Sequence, residues 1–253
     1  MRFLIQTHEP LTKNVYHMRL AGDTRGIARP GQFVQIALPG FYLRRPISVC
    51  DWRPGENGTL DIIYKVVGRG TEAMSRYAPG MELDLLTGLG NGYDIDRLDE
   101  VTQSQFPLLV GGGVGVPPLY GLCKKLLAAL KKPSVIMGFN TAEEIFWKDA
   151  FERLGVPAAV TTVDGSAGVK GFVTDAMAPL EGMYDYVYAC GPEPMLKAVW
   201  DVCEKSGIHG QYSFEERMAC GFGVCMGCSC QTKYGAKRIC KDGPVLRGEE
   251  ILW

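Results

Sequence analysis

Along the first hundred residues, apolar and polar positions alternate with a period of two, in short runs cut by glycine and proline. Tyr16-His-Met-Arg-Leu20 and Phe33-Val-Gln-Ile36 follow that alternation or nearly so, as strands do when one face meets a core and the other meets water. Gln32 to Leu38, Ile47 to Asp51, Thr59 to Val67 and Glu82 to Leu86 are short segments of the same kind. Such spacing predicts a small antiparallel β-barrel. Before residue 105 only a short helix fits, around Thr71 to Tyr77.

From Phe106 the period changes. Phe106-Pro-Leu-Leu-Val110 suits a buried parallel strand, and Pro117 to Leu130 reads as a helix with Pro in its first turn. Ser134 to Phe139 is the next strand, and Thr141-Ala-Glu-Glu144 reads as a capping box opening a helix through Leu154. Pro157 to Val163, Val173 to Leu180, Tyr184 to Cys190 and Pro194 to Ser206 continue the alternation. Strand and helix in turn predict a doubly wound parallel sheet. The chain thus divides into a β-barrel domain over 1–100, an α/β domain over 101–210 and a small C-terminal module over 211–253. That last piece is rich in Gly and Cys and poor in core residues, so a metal is expected to supply its folding free energy.

Composition narrows the classes. With 253 residues, 46% hydrophobic, 22% charged and a net charge of −1, the chain has no broad basic surface for nucleic acid or anionic lipid. No apolar run reaches the ~20 residues that span a bilayer. Nothing at the N-terminus resembles a signal peptide and the nine Cys are odd in number, so a reducing cytoplasm is expected rather than a disulfide framework. Cys50, Cys123, Cys190 and Cys203 lie in apolar surroundings, where a free thiol acts as a small hydrophobe.

The remaining cysteines carry chemistry. Cys220-Gly-Phe-Gly-Val-Cys225-Met-Gly-Cys228-Ser-Cys230, with Cys240 beyond, has the C-x4-C-x2-C spacing and distant fourth Cys of a plant-type 2Fe–2S site. Gly221, Gly223 and Gly227 give a backbone that can wrap a cluster and turn amide N–H groups toward its sulfurs. Zinc is the rival, but only Cys225 and Cys228 form a C-x2-C knuckle.

Two glycine turns suit a nucleotide. Gly111-Gly112-Gly113-Val-Gly115 follows a strand and opens a helix, although Pro118 stands where the dinucleotide fingerprint has its third glycine. Cys190-Gly191-Pro192 ends a later strand, and ligands bind outside the carboxyl ends of such sheets. Taken singly, each turn is also explained by tight packing; together they suggest a nicotinamide pocket. In the barrel half, Arg44-Arg45-Pro46-Ile47-Ser48 offers guanidinium groups to phosphate and a hydroxyl to a heterocycle edge. Tyr64-Lys65 with Gly68-Arg-Gly70-Thr71 supplies a second anion-binding turn. From these residues alone, a solvated charged rim explains the barrel positions equally well.

Arg45-Pro46-Ile47-Ser48, Gly70-Thr71, the Gly111 to Pro118 loop, Cys190-Gly191-Pro192 and the cysteine module, in this order, resemble the ferredoxin–NADP reductase superfamily. Within it the whole chain is similar to the electron-transfer subunits of dihydroorotate dehydrogenase B. The likeness extends to Gly90-Asn-Gly92, Asp164-Gly-Ser166, Gly171-Phe-Val-Thr174, Glu215 to Cys220 and Asp242-Gly-Pro-Val245.

The resemblance implies FAD on the barrel, NAD on the α/β domain and a 2Fe–2S cluster in the C-terminal module. Arg45, Pro46, Ile47, Ser48, Ile62, Ile63, Tyr64, Lys65, Gly70 and Thr71 would hold FAD, with Ser48 near the ring and Thr71 near the pyrophosphate. Many reductases place a Tyr that stacks on the flavin where this chain has Pro46-Ile47. Gly111, Gly112, Gly113, Gly115, Cys190, Gly191 and Pro192 would hold NAD. Cys220, Cys225, Cys228 and Cys240 would bind the cluster, leaving Cys230 over. No acid–base catalyst is expected. The implied partner is an FMN-containing dihydroorotate dehydrogenase subunit, in a heterotetramer of two of each. An analogous subunit of an NADH-dependent ferredoxin:NADP oxidoreductase, sulfide dehydrogenase or hydrogenase, or a stand-alone diaphorase, stays open. Asn140-Thr-Ala-Glu143-Glu144 carries acids and no base, which favours NAD over NADP.

Overall fold

In the computed structural model, which describes every residue from Met1 to Trp253, the alternating segments of the first third close on themselves. β1 (Arg2–Pro10), β2 (Val15–Gly22), β3 (Phe33–Ala37), β4 (Arg45–Arg53), β5 (Gly58–Lys65) and β6 (Glu82–Leu89) form a closed antiparallel barrel in the order β1-β2-β5-β4-β3-β6. Register breaks between Ile5 and Thr7, Phe33 and Gln35, and Val49 and Asp51 supply the bends a small barrel needs. Phe3, Ile5, Met18, Leu20, Val34, Ile36, Leu60 and Ile62 fill the interior, with Met74 from the short helix α1 (Arg69–Met74). Phe33 and Gln35 therefore point out of the barrel.

The second half begins with α2 (Asp99–Gln103) and β7 (Pro107–Gly112), then a 3₁₀ turn (Gly113–Gly115) and α3 (Val116–Ala128). β8 (Ser134–Phe139), α4 (Lys148–Arg153), β9 (Ala158–Thr162), β10 (Val169–Lys170), α5 (Val173–Met177), β11 (Tyr186–Cys190), α6 (Glu193–Ser206) and β12 (Gly210–Ser213) follow. Their strands lie parallel in the order β10-β9-β8-β7-β11-β12. Leu109, Val135, Met137 and Tyr188 face α3 and α4, while Leu108, Val110, Ile136 and Val187 face α5 and α6. The sheet is doubly wound, with helices on both faces.

One predicted helix is divided. The capping box at Thr141 does not form: the Thr141 side chain caps nothing, and only a 3₁₀ turn covers Ala142–Glu144 before α4. Phe146 inserts into the core edge-on to Phe139, and Trp147, at φ 63°, packs against His17 and Tyr120. Both aromatics pack against the same core, and the left-handed backbone at Trp147 that allows this interrupts a continuous helix.

After β12 the chain leaves the sheet for the cysteine loop and the hairpin β13 (Ser229–Thr232) and β14 (Gly235–Arg238), then returns as β15 (Val245–Arg247), antiparallel to β12. No helix is long and apolar enough to cross a membrane.

Candidate functional site

Arg45 opens β4, and its guanidinium lies over the Phe41 ring at 4.9 Å and against the α-carbon of Gly70, where a β-carbon would stand 2.1 Å from Nε. The strand and α1 are thus brought together at one charged group. Arg44 is not available beside it: Nη2 donates to Asp84 Oδ2 at 2.6 Å and Nη1 to the Asp84 carbonyl at 3.0 Å. Those bonds, with one from the N-terminal ammonium, hold the Asp84 carboxyl below its usual range. Thr71 shapes its turn instead of standing free, for its hydroxyl accepts from Val67 N at 2.9 Å and donates to the Gly68 carbonyl at 3.1 Å. Pro46, Ile47 and Ser48 are half-buried on β4. On β5, Ile62 and Tyr64 point into the barrel and Ile63 into the core shared with the α/β half. Only Lys65 is open among these four, 3.8 Å from Glu144 of the other half.

The glycine turns of the sheet meet. β7 and β11 are neighbours with Gly111 opposite Cys190, so both loops leave the same carboxyl edge. A β-carbon at Gly115 would come within 2.1 Å of the Cys190 carbonyl, and one at Gly112 within 2.6 Å of Met195 Sδ. Gly113, at φ 52°, faces open space instead, which leaves its backbone accessible to a ligand. The Cys190 thiol is pushed up to about 12 by burial, against hydrogen bonds with Ser213 and Tyr93. Gly191 and Pro192 complete the second loop, with Pro192 exposed.

The cysteines stand as pairs. Cys220 interacts with Cys225, and Cys228 Sγ accepts from the Cys240 N–H at 3.4 Å. No three ligating side chains converge at metal spacing. Within the loop, Cys220 is the thiol that the backbone favours as an anion. The backbone N–H of Cys225, then those of Phe222 and Val224 against the cost of burial, pull the Cys220 thiol down to about 6. Burial and the neighbouring Cys228 push Cys240 up to about 12. Cys230 sits in β13 opposite Lys237, outside these pairs, with its thiol raised by burial.

Two residues given no role in the sequence lie where this module meets the barrel. Asn91 Nδ2 donates to the Val245 carbonyl at 2.7 Å, and its Oδ1 accepts from Val245 N at 3.1 Å. Asn91 lay within a recognised Gly-Asn-Gly motif, but nothing local tied it to a tail over 150 residues away. The second is Gln35. It is fully buried, it faces Gly221, and neither Nε2 nor Oε1 has a partner, a state that costs about 1–3 kcal/mol per group when nothing else fills it.

A closed barrel with Arg45 at its rim, a doubly wound sheet with paired glycine loops and a cysteine-rich module are the parts of an electron-transferring oxidoreductase. The iron–sulfur cluster binding domain of dihydroorotate dehydrogenase B matches residues 215–252, and the oxidoreductase NAD-binding domain matches 109–201. The dihydroorotate dehydrogenase B (NAD(+)) electron transfer subunit of Fusobacterium nucleatum is 41% identical, over 98% of this chain and 96% of its own. That of Geobacillus sp. is 39% identical, over 97% and 95%. A solved structure of an NADH-dependent reduced ferredoxin-NADP oxidoreductase, described for flavin-based electron bifurcation, superposes with a TM-score of 0.87 at 33% identity, covering 99% of this chain and 90% of that one. The chain belongs to the family of dihydroorotate dehydrogenase B electron transfer subunits.

Proposed function

We propose that the chain relays electrons between NAD and an FMN-containing dihydroorotate-oxidising subunit, using FAD on the barrel and a 2Fe–2S cluster at Cys220, Cys225, Cys228 and Cys240, in a heterotetramer of two of each subunit. The observation that carries this reading is the contact of the cysteine module with β3: Phe33 packs in one cluster with Cys228, Ile239 and Cys240, and β3 pairs with the β4 run that holds Arg45 to Ser48. Carriers held on these two surfaces are close neighbours. FAD, when bound, would supply the chemistry of taking up two electrons as one hydride from NADH and releasing them one at a time to an iron–sulfur cluster.

The chain's own groups bind and orient. Arg45 has N–H donors to offer a phosphate, Ser48 a hydroxyl for the ring edge, and Gly113 an open backbone for the dinucleotide. Phe222, Val224 and Met226 expose 53%, 74% and 54% of their surface on the cysteine loop, an apolar rim suited to the partner subunit. The visible spectrum of purified protein tests the carriers directly: flavin and 2Fe–2S bands, bleached by NADH, are expected, and zinc with a colourless protein refutes them. Arg45→Ala should weaken FAD retention by about one to two orders of magnitude, the loss of a charge-assisted contact worth ~1.5–3 kcal/mol. The 33% identity to the ferredoxin-NADP oxidoreductase chain supports a second reading, an analogous subunit of such a complex. The partner that co-purifies separates the two.

A further inference from the structure

Gln35 sits in an unusual place for an unpartnered amide. Its neighbours Val34 and Ile36 enter the barrel core, so the alternation of β3 sends Gln35 to the outer face. There it pairs in register with Pro46 on β4 and Leu86 on β6, and its side chain ends against Gly221, where a β-carbon would stand 2.6 Å from Nε2. Its backbone carbonyl accepts from Arg44 Nη1 at 3.4 Å, which leaves the side-chain amide untouched. The carboxamide has no exposed surface, and both its polar atoms are unsatisfied. Buried amides without partners are rare in folded proteins and point to an acceptor or donor supplied by something bound. Gly221 follows Cys220 directly, and its bare α-carbon is what lets the amide approach the loop.

We propose that Gln35 is a positioning residue of the cluster site, whose Nε2 donates a hydrogen bond to a sulfur of the loaded cysteine loop and so sets the ease with which the cluster is reduced. The inference rests on the iron–sulfur reading above. A donor near sulfur stabilises the form with more negative charge, so it favours the reduced cluster. Gln35 is also the register partner of Pro46 on β4, so the residue that faces Gly221 stands beside the strand of the barrel rim.

The test is potentiometric titration of the assembled complex, with the cluster followed by its EPR signal and the flavin by visible absorbance. Gln35→Met keeps the length and removes the donor. It is expected to lower the equilibrium constant for cluster reduction about tenfold, equivalent to ~59 mV for a one-electron couple, with iron content and flavin midpoint unchanged. Gln35→Glu keeps the shape and replaces the donor by an acceptor, and should shift the cluster further in the same direction. It also carries the test if the Met variant fails to assemble. Midpoints and g-values equal to wild type in both variants overturn the proposal. So does a shift confined to the flavin, which would assign the amide to the other carrier, and so does loss of iron from both variants, because a tuning contact shifts a site without abolishing it. A wild-type chain that holds neither iron nor acid-labile sulfide removes the cluster reading itself and this inference with it.

Discussion

At the scale of single residues, Cys230 and Cys240 are alike in sequence and unlike in place. Cys240 is buried beside Cys228, whereas Cys230 is committed to the β13–β14 ladder. Cys240→Ser should therefore lose the 2Fe–2S absorbance and iron, and Cys230→Ser should keep both with at most a shifted potential. Iron content and spectra of the two variants decide it, and a cluster that survives the first and vanishes in the second reverses the assignment. Asp61 gives a separate, structural prediction. Burial favours its neutral form, but His17 Nε2 at 2.7 Å and Arg19 at 2.9 and 3.0 Å overcome that and lower its pKa. A carboxyl depressed on folding stabilises fully above its unfolded value of about 4, and that contribution is lost as pH falls through the folded value. Asp61→Asn should cost about 1–3 kcal/mol near neutrality and flatten the fall of melting temperature below about pH 4.

At the scale of elements, the sequence was most readable where one local rule acted. Alternation in Phe33 to Ile36 gave β3, and the apolar run before Gly111 gave β7, because burial on one face or two leaves a period in the chain. It was least readable where distant packing overrode local signals. The Thr141 capping box yields to the insertion of Phe146 and Trp147, and β15 is three residues long with no pattern of its own. Arg44 and Arg45 looked alike in the sequence, and Arg44 was not legible as a structural cation, because Asp84 lies on a strand far along the chain. Gln35 looked like any polar residue on an outward face. The Asn91 clamp belongs to the same class of long-range contact, and it carries a prediction. Asn91→Ala strips bonds to Val245 that are made nowhere else, so β15 should loosen, with a stability loss of about 1–3 kcal/mol measurable by denaturant titration, and faster loss of the cluster.

At the scale of the whole molecule, two acids stand at the boundary between the halves, where their charge bears on which nucleotide is expected to bind. Glu144 is shared between Asn140 Nδ2 at 2.8 Å and Lys65 of the barrel at 3.8 Å, while Glu143 is exposed and unshared. These acids favour ribose hydroxyls and repel a 2′-phosphate, although Lys65 offsets part of the charge. Steady-state diaphorase assays should give a catalytic efficiency with NADH at least about tenfold above that with NADPH, a gap of ~1.4 kcal/mol. Comparable efficiencies would move the specificity elsewhere.

The return of β15 to β12 makes the cysteine module a detour between two hydrogen-bonded strands of one sheet. Gln211 faces Arg247, Tyr212 faces Leu246 and Ser213 faces Val245, and Trp200 Nε1 donates to the Gly248 carbonyl at 3.0 Å just beyond. A metal that ties the middle of the detour shortens the loop those strands must close, and closing a shorter loop costs less entropy. Chelation should then speed deuterium uptake at the amides of 245–247 while the central amides of β7 and β8 stay protected. The outer strand of the nucleotide-type sheet becomes a gauge of iron loading, readable at a position that no iron touches.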